Sequence, residues 1–66
     1  MTNCVLLEKR IKDSGMTKAF ISNKMGRSRT RLYKILNGAE CTVSEMISIS
    51  NILQLTNKER NDIFLR

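Results

Sequence analysis

The sequence predicts an all-α fold, and three observations carry that reading. Isoleucine, leucine and methionine supply eighteen residues against three aromatics, an apolar stock suited to helix packing rather than to sheets. Gly15, Gly26 and Gly38 each follow an amphipathic stretch, where a residue tolerant of left-handed backbone ends a helix. Thr42-Val-Ser-Glu45 and Thr56-Asn-Lys-Glu59 are capping boxes, each marking a helix start. Proline is absent, so helix interiors run unbroken. No stretch of five or more residues alternates apolar and polar positions with β-branched character, which argues against strands.

Each element then follows in chain order. A first helix is expected from about Cys4 to Ser14, capped by Thr2 or Asn3, with Cys4, Leu7 and Ile11 turned inward. A second starts after the cap Thr17 and runs to Met25, burying Ile21 and Met25 at i, i+4 spacing. A third starts after the cap Ser28, runs to about Asn37 and buries Leu32, Ile35 and Leu36. The fourth follows Thr42 and carries Met46, Ile49, Ile52 and Leu53 on one face. The fifth follows Thr56 and ends with Ile63, Phe64 and Leu65, which close the core.

Sixty-six residues allow one small domain. Histidine is absent, which removes Ser-His and Cys-His catalysis and any His-containing zinc site. An enzyme is therefore the least expected class, and no cofactor, metal or small-molecule ligand is expected. Cys4 and Cys41 lack metal-ligand spacing, and they read as reduced thiols packing as small apolar groups in a cytosolic protein. The longest apolar run, Cys4 to Leu7, is far short of the ~20 residues a membrane span needs.

The formal charge of +6 is concentrated. Residues 17–38 hold Lys18, Lys24, Arg27, Arg29, Arg31 and Lys34 without a single acid, while the flanking stretches nearly cancel. Scattered solubilising charge does not distribute this way; a docking surface for a polyanion does. The competing reading, an ordinary solvated face, lacks the compensating acids such faces carry.

Only Gly26, Arg27 and Ser28 separate the second and third helices. Counting from Lys18, apolar residues fall at the fourth, eighth, fifteenth and eighteenth positions (Ile21, Met25, Leu32, Ile35), with Gly26 at the ninth. That is the spacing of a helix-turn-helix, whose second helix enters the DNA major groove. With these residues in place, LLEKRIKDSGMTKAFISNKMGRSRTRLYKILNG resembles the phage-repressor and Cro-like (XRE-type) helix-turn-helix family, and LTNKERNDIF resembles its ending. The resemblance covers roughly residues 5–65. It implies a compact five-helix, lambda-repressor-like domain that binds double-stranded operator DNA, usually as a homodimer, and regulates transcription.

Position by position, the resemblance brings Arg29, Thr30 and Lys34 to the bases. Arginine suits bidentate contact to guanine, and the threonine methyl suits thymine. Arg31 and Tyr33 lie on the flanks, where base edge and phosphate are equally open, Arg31 being assigned to the bases and Tyr33 to the backbone. Thr17, Lys18, Ser28 and Asn37 are placed for phosphates. Two positions depart from the family pattern. Ser22 replaces the usual alanine and is small enough to fit. Arg27 replaces an apolar residue, and it either turns out to a phosphate or leaves the turn less tightly packed. Six cations imply five or six phosphate contacts and a slope of log K on log salt near about −5 per domain. The rival function is a protein-interaction module of the same fold, antitoxin-like or inhibitory. RNA binding is disfavoured by the lack of stacking aromatics.

Overall fold

The computed structural model describes residues 2–65, and among these residues every regular element is a helix. The five are α1 (Cys4–Ser14), α2 (Lys18–Met25), α3 (Arg29–Leu36), α4 (Val43–Leu53) and α5 (Asn57–Phe64). Each begins on a side chain that accepts a hydrogen bond from an otherwise orphaned backbone N–H: Asn3, Thr17, Ser28, Thr42 and Thr56. Asn3, not Thr2, is the cap of α1, and its own N–H donates to the Ile63 carbonyl at 2.6 Å. The start of the first helix is thereby tied to the end of the last.

The helix stops show one departure. α1 and α2 end on Gly15 and Gly26 in left-handed backbone, as the glycine spacing predicts. α4 ends the same way without a glycine, on Gln54 at φ 53°. Nothing in its side chain favours that conformation, so this stop carries a steric cost and no sequence signal.

One core joins all five helices. Leu7, Ile11, Ile21, Met25, Leu32, Ile35, Ile49, Ile63 and Phe64 are buried together. Full burial of an aliphatic side chain is worth about 1.5–3 kcal/mol, so these nine supply most of what holds so short a chain together. Around them Leu6, Met16, Leu36, Cys41, Met46, Ile52, Leu53 and Leu55 pack as a partly buried rim. Cys4 and Leu36 are therefore peripheral rather than central, because the axes of α1 and α3 leave these positions at the edge. The Cys4 thiol donates weakly toward the Ile35 carbonyl at 3.4 Å. Leu65 lies beyond the last turn of α5 and is 71% exposed, so the final core residues are Ile63 and Phe64. α2 packs on α3 and α4, and α1 packs on α3, α4 and α5. No helix among the described residues is long and apolar enough to cross a membrane.

Candidate nucleic-acid interface

The local sequence builds the α2–α3 corner with few residues. Gly26 sits at φ 73°, its N–H bonds the Asn23 carbonyl at 3.1 Å, and Arg27 N–H returns to Ser22 at 3.0 Å. Open space surrounds the position of a Gly26 Cβ, so backbone conformation, not crowding, demands glycine here. Ser28 leaves the turn in extended conformation and accepts from Arg31 N–H at 3.2 Å, which starts α3. Ser22 fits its position as expected: it is buried, and its hydroxyl donates to the Ala19 carbonyl at 3.0 Å.

The outward face of this corner carries most of the residues expected from the sequence. Arg29 and Thr30 are exposed in the first turn of α3, with Lys34 exposed one turn further on. Ser28, Thr17 and Asn37 are also exposed. Tyr33 is half-exposed and lies beside Lys18, whose ammonium stands 5.5 Å from the ring centroid. Lys18 also pairs with Glu8 of α1 at 2.7 Å, and that hydrogen bond raises its pKa above the ordinary lysine value. Lys24 rests over the half-exposed Phe20 ring at 5.6 Å, an aromatic contact the sequence reading did not single out.

Two arginines of the basic stretch also contact the protein itself. Arg31 is turned to the protein: its Nε and Nη2 each lie 2.8 Å from the Glu45 carboxylate, and Nη2 also donates to the Glu40 carbonyl at 2.8 Å. A bidentate grip on a buried carboxylate holds a guanidinium far more firmly than a solvated pair does. In this arrangement Arg31 braces α3 against α4 through Nε and Nη2, with its side chain 30% exposed. Arg27 is exposed, so the turn is not opened by a buried charge, but its Nε leans to Glu45 at 3.4 Å rather than outward alone. Glu45 is the residue that sequence reasoning missed. Its capping-box role was legible, but its contact with a side chain fourteen positions earlier was not. The carboxylate is only 3% exposed, and the Arg31 hydrogen bonds hold its pKa at about 2.

Cys4, Val5, Gly38–Cys41, Met46 and Phe64 line a groove of about 650 Å³. Both cysteines are free, and burial pushes the Cys41 thiol up to about 11, which leaves it protonated at neutral pH. No family model matches the chain, and no curated protein or solved structure matches it significantly.

Proposed function

We propose that this chain is a sequence-specific double-stranded DNA-binding transcriptional regulator of the phage-repressor and Cro-like kind, acting in the cytoplasm of a bacterial or phage-infected cell. In this reading α2 and α3 form a helix-turn-helix within a lambda-repressor-like domain, and α3 enters the major groove. The observation that carries it is the joint exposure of Arg29, Thr30 and Lys34 along one capped helix, on a stretch that contains no acid. Those three read bases, while Thr17, Lys18, Arg27, Ser28, Tyr33 and Asn37 hold phosphates. With Arg31 committed to Glu45, the phosphate count falls by one, and the salt slope becomes about −4 per domain.

One such domain reads about four or five base pairs, too few to mark a site in a genome. Two copies on a pseudo-palindrome, with centres ~10 bp apart, supply the rest. α5 and the loop around Glu40–Thr42 are the surfaces for that pairing, and the apolar groove beside them supports the choice. Selection from random duplexes, followed by sequencing of the bound fraction, tests the reading. Enrichment of a paired short motif is the expected result. A protein-interaction module predicts no enriched motif and no salt-dependent complex.

A further inference from the structure

Glu45 is a nearly buried acid facing two of the six cations on the basic stretch, and it holds them unequally. Its Oε1 accepts from Thr42 N–H at 2.9 Å and from Arg31 Nη2 at 2.8 Å. Its Oε2 accepts from Arg31 Nε at 2.8 Å. Only after these does Arg27 approach Oε2, from the solvent side, at 3.4 Å. Arg31 meets the carboxylate as a closed fork, with its side chain 30% exposed; Arg27 makes one long contact with a side chain 44% exposed. The first contact is hard to exchange and the second easy, because a loose, half-solvated pair is worth little. Arg27 also belongs to the turn immediately before the Ser28 cap, at the edge where a phosphate would sit beside the entering helix.

We propose that Glu45 is a positioning residue with two distinct tasks: it locks Arg31 so that α3 is held for base reading, and it stands in for a DNA phosphate on Arg27 until duplex docks. This inference rests on the DNA-binding reading. On docking, Arg27 exchanges its long contact for a backbone phosphate, whereas Arg31 stays where it is. Glu45 thereby keeps one cation out of the non-specific interface and releases another into it. The acid limits indiscriminate attraction to DNA while bracing the helix that discriminates.

The test measures binding to a selected duplex and to a random duplex of equal length across a salt series, for the wild type, Glu45→Gln and Arg27→Gln. Glu45→Gln keeps a side-chain acceptor but removes the charge that restrains Arg31. The expected result is a random-duplex slope steeper by about one, with random binding about tenfold tighter at low salt and a smaller preference for the selected duplex. A purely structural role for Glu45 predicts the opposite sign, weaker binding to both duplexes with no steepening, and that result overturns the proposal. Arg27→Gln leaves the Arg31 fork intact. It is expected to flatten both slopes by about one and to weaken both duplexes about equally. Unchanged slopes in this variant overturn the exchange, and they decide the matter even where Glu45→Gln fails to fold. Absence of any salt-dependent complex with the wild type is a different outcome, and it overturns the DNA-binding reading itself.

Discussion

The starts of α4 and α5 are the same device in two settings. Thr42 and Glu45 exchange hydrogen bonds of 2.9 and 3.1 Å, and Thr56 and Glu59 exchange bonds of the same lengths. Each glutamate also meets an arginine at 2.8 Å. There the likeness ends. Glu45 is buried and grips both Nε and Nη2 of Arg31, whereas the Glu59 side chain is 26% exposed and meets Arg10 through Nη2 alone. Arg10 Nε finds no hydrogen-bond partner among the described residues. The dominant influence on Glu45 is its arginine; on Glu59 it is the Thr56 backbone of the cap. One local motif thus serves once as a buried, two-pronged brace for the basic face and once as a helix start with a single, more exposed tie to α1.

The largest test of that contrast is truncation of each acid. Glu45→Ala leaves Arg31 facing a buried void where its charge partner was, at a cost of about 2–3 kcal/mol, below the range for fully buried pairs because Arg31 is partly solvated. Glu59→Ala is expected to shift the denaturant midpoint much less. Equal shifts in urea unfolding would break the comparison.

Acid titration sharpens it. The folded state holds Glu45 at about 2, below the ordinary carboxylate value of 4.5. A depressed pKa means the charged form stabilises the fold, fully above about pH 4.5 and progressively less as pH falls toward 2. The stability lost across that window is roughly 2–3 kcal/mol and follows from Glu45 more than from Glu59. Unfolding free energies measured from pH 6 to pH 2 should decline steeply in the wild type and more shallowly in Glu45→Gln. Identical curves would remove Glu45 from the account.

The smallest effect lies at the other end of α4. That helix starts on a capping box and stops on Gln54 in left-handed backbone. Gln54→Gly is expected to stabilise the protein by about 0.5–1 kcal/mol, read as a small rise in thermal midpoint. A loss of stability would show that the Gln54 side chain contributes something its exposed position does not reveal.

Much of the fold was legible because its determinants are local. Thr17, Ser28, Thr42 and Thr56 cap through atoms within three residues, and Gly15 and Gly26 end helices through their own backbone freedom. Core membership of Leu7, Ile21, Leu32 and Ile35 follows from helical spacing. What escaped the sequence is set by how helices lie against one another. Arg31 sits on the exposed arc of α3 by periodicity, and only the placement of α4 brings Glu45 to it. Leu65 has the composition of a core residue but falls one position past the last turn. The stop at Gln54 puts a non-glycine residue in left-handed backbone, against the residue's own preference. Of the candidate site, the outward residues Arg29, Thr30 and Lys34 were readable from the helix wheel, while the fate of Arg27 and Arg31 was not.

The central claim is that the tip of α3 reads bases, and Arg29 is the side chain that tests it most directly. It is exposed one residue past the Ser28 cap and lies outside the core, so its removal should leave the fold intact. Wild type and Arg29→Ala are to be titrated at matched salt against the selected duplex and a random one. The account predicts a loss of about 1–3 kcal/mol on the selected duplex, relaxed preference at one base pair, and a much smaller change on the random duplex. Equal losses on both duplexes would contradict it and reduce Arg29 to a phosphate clamp.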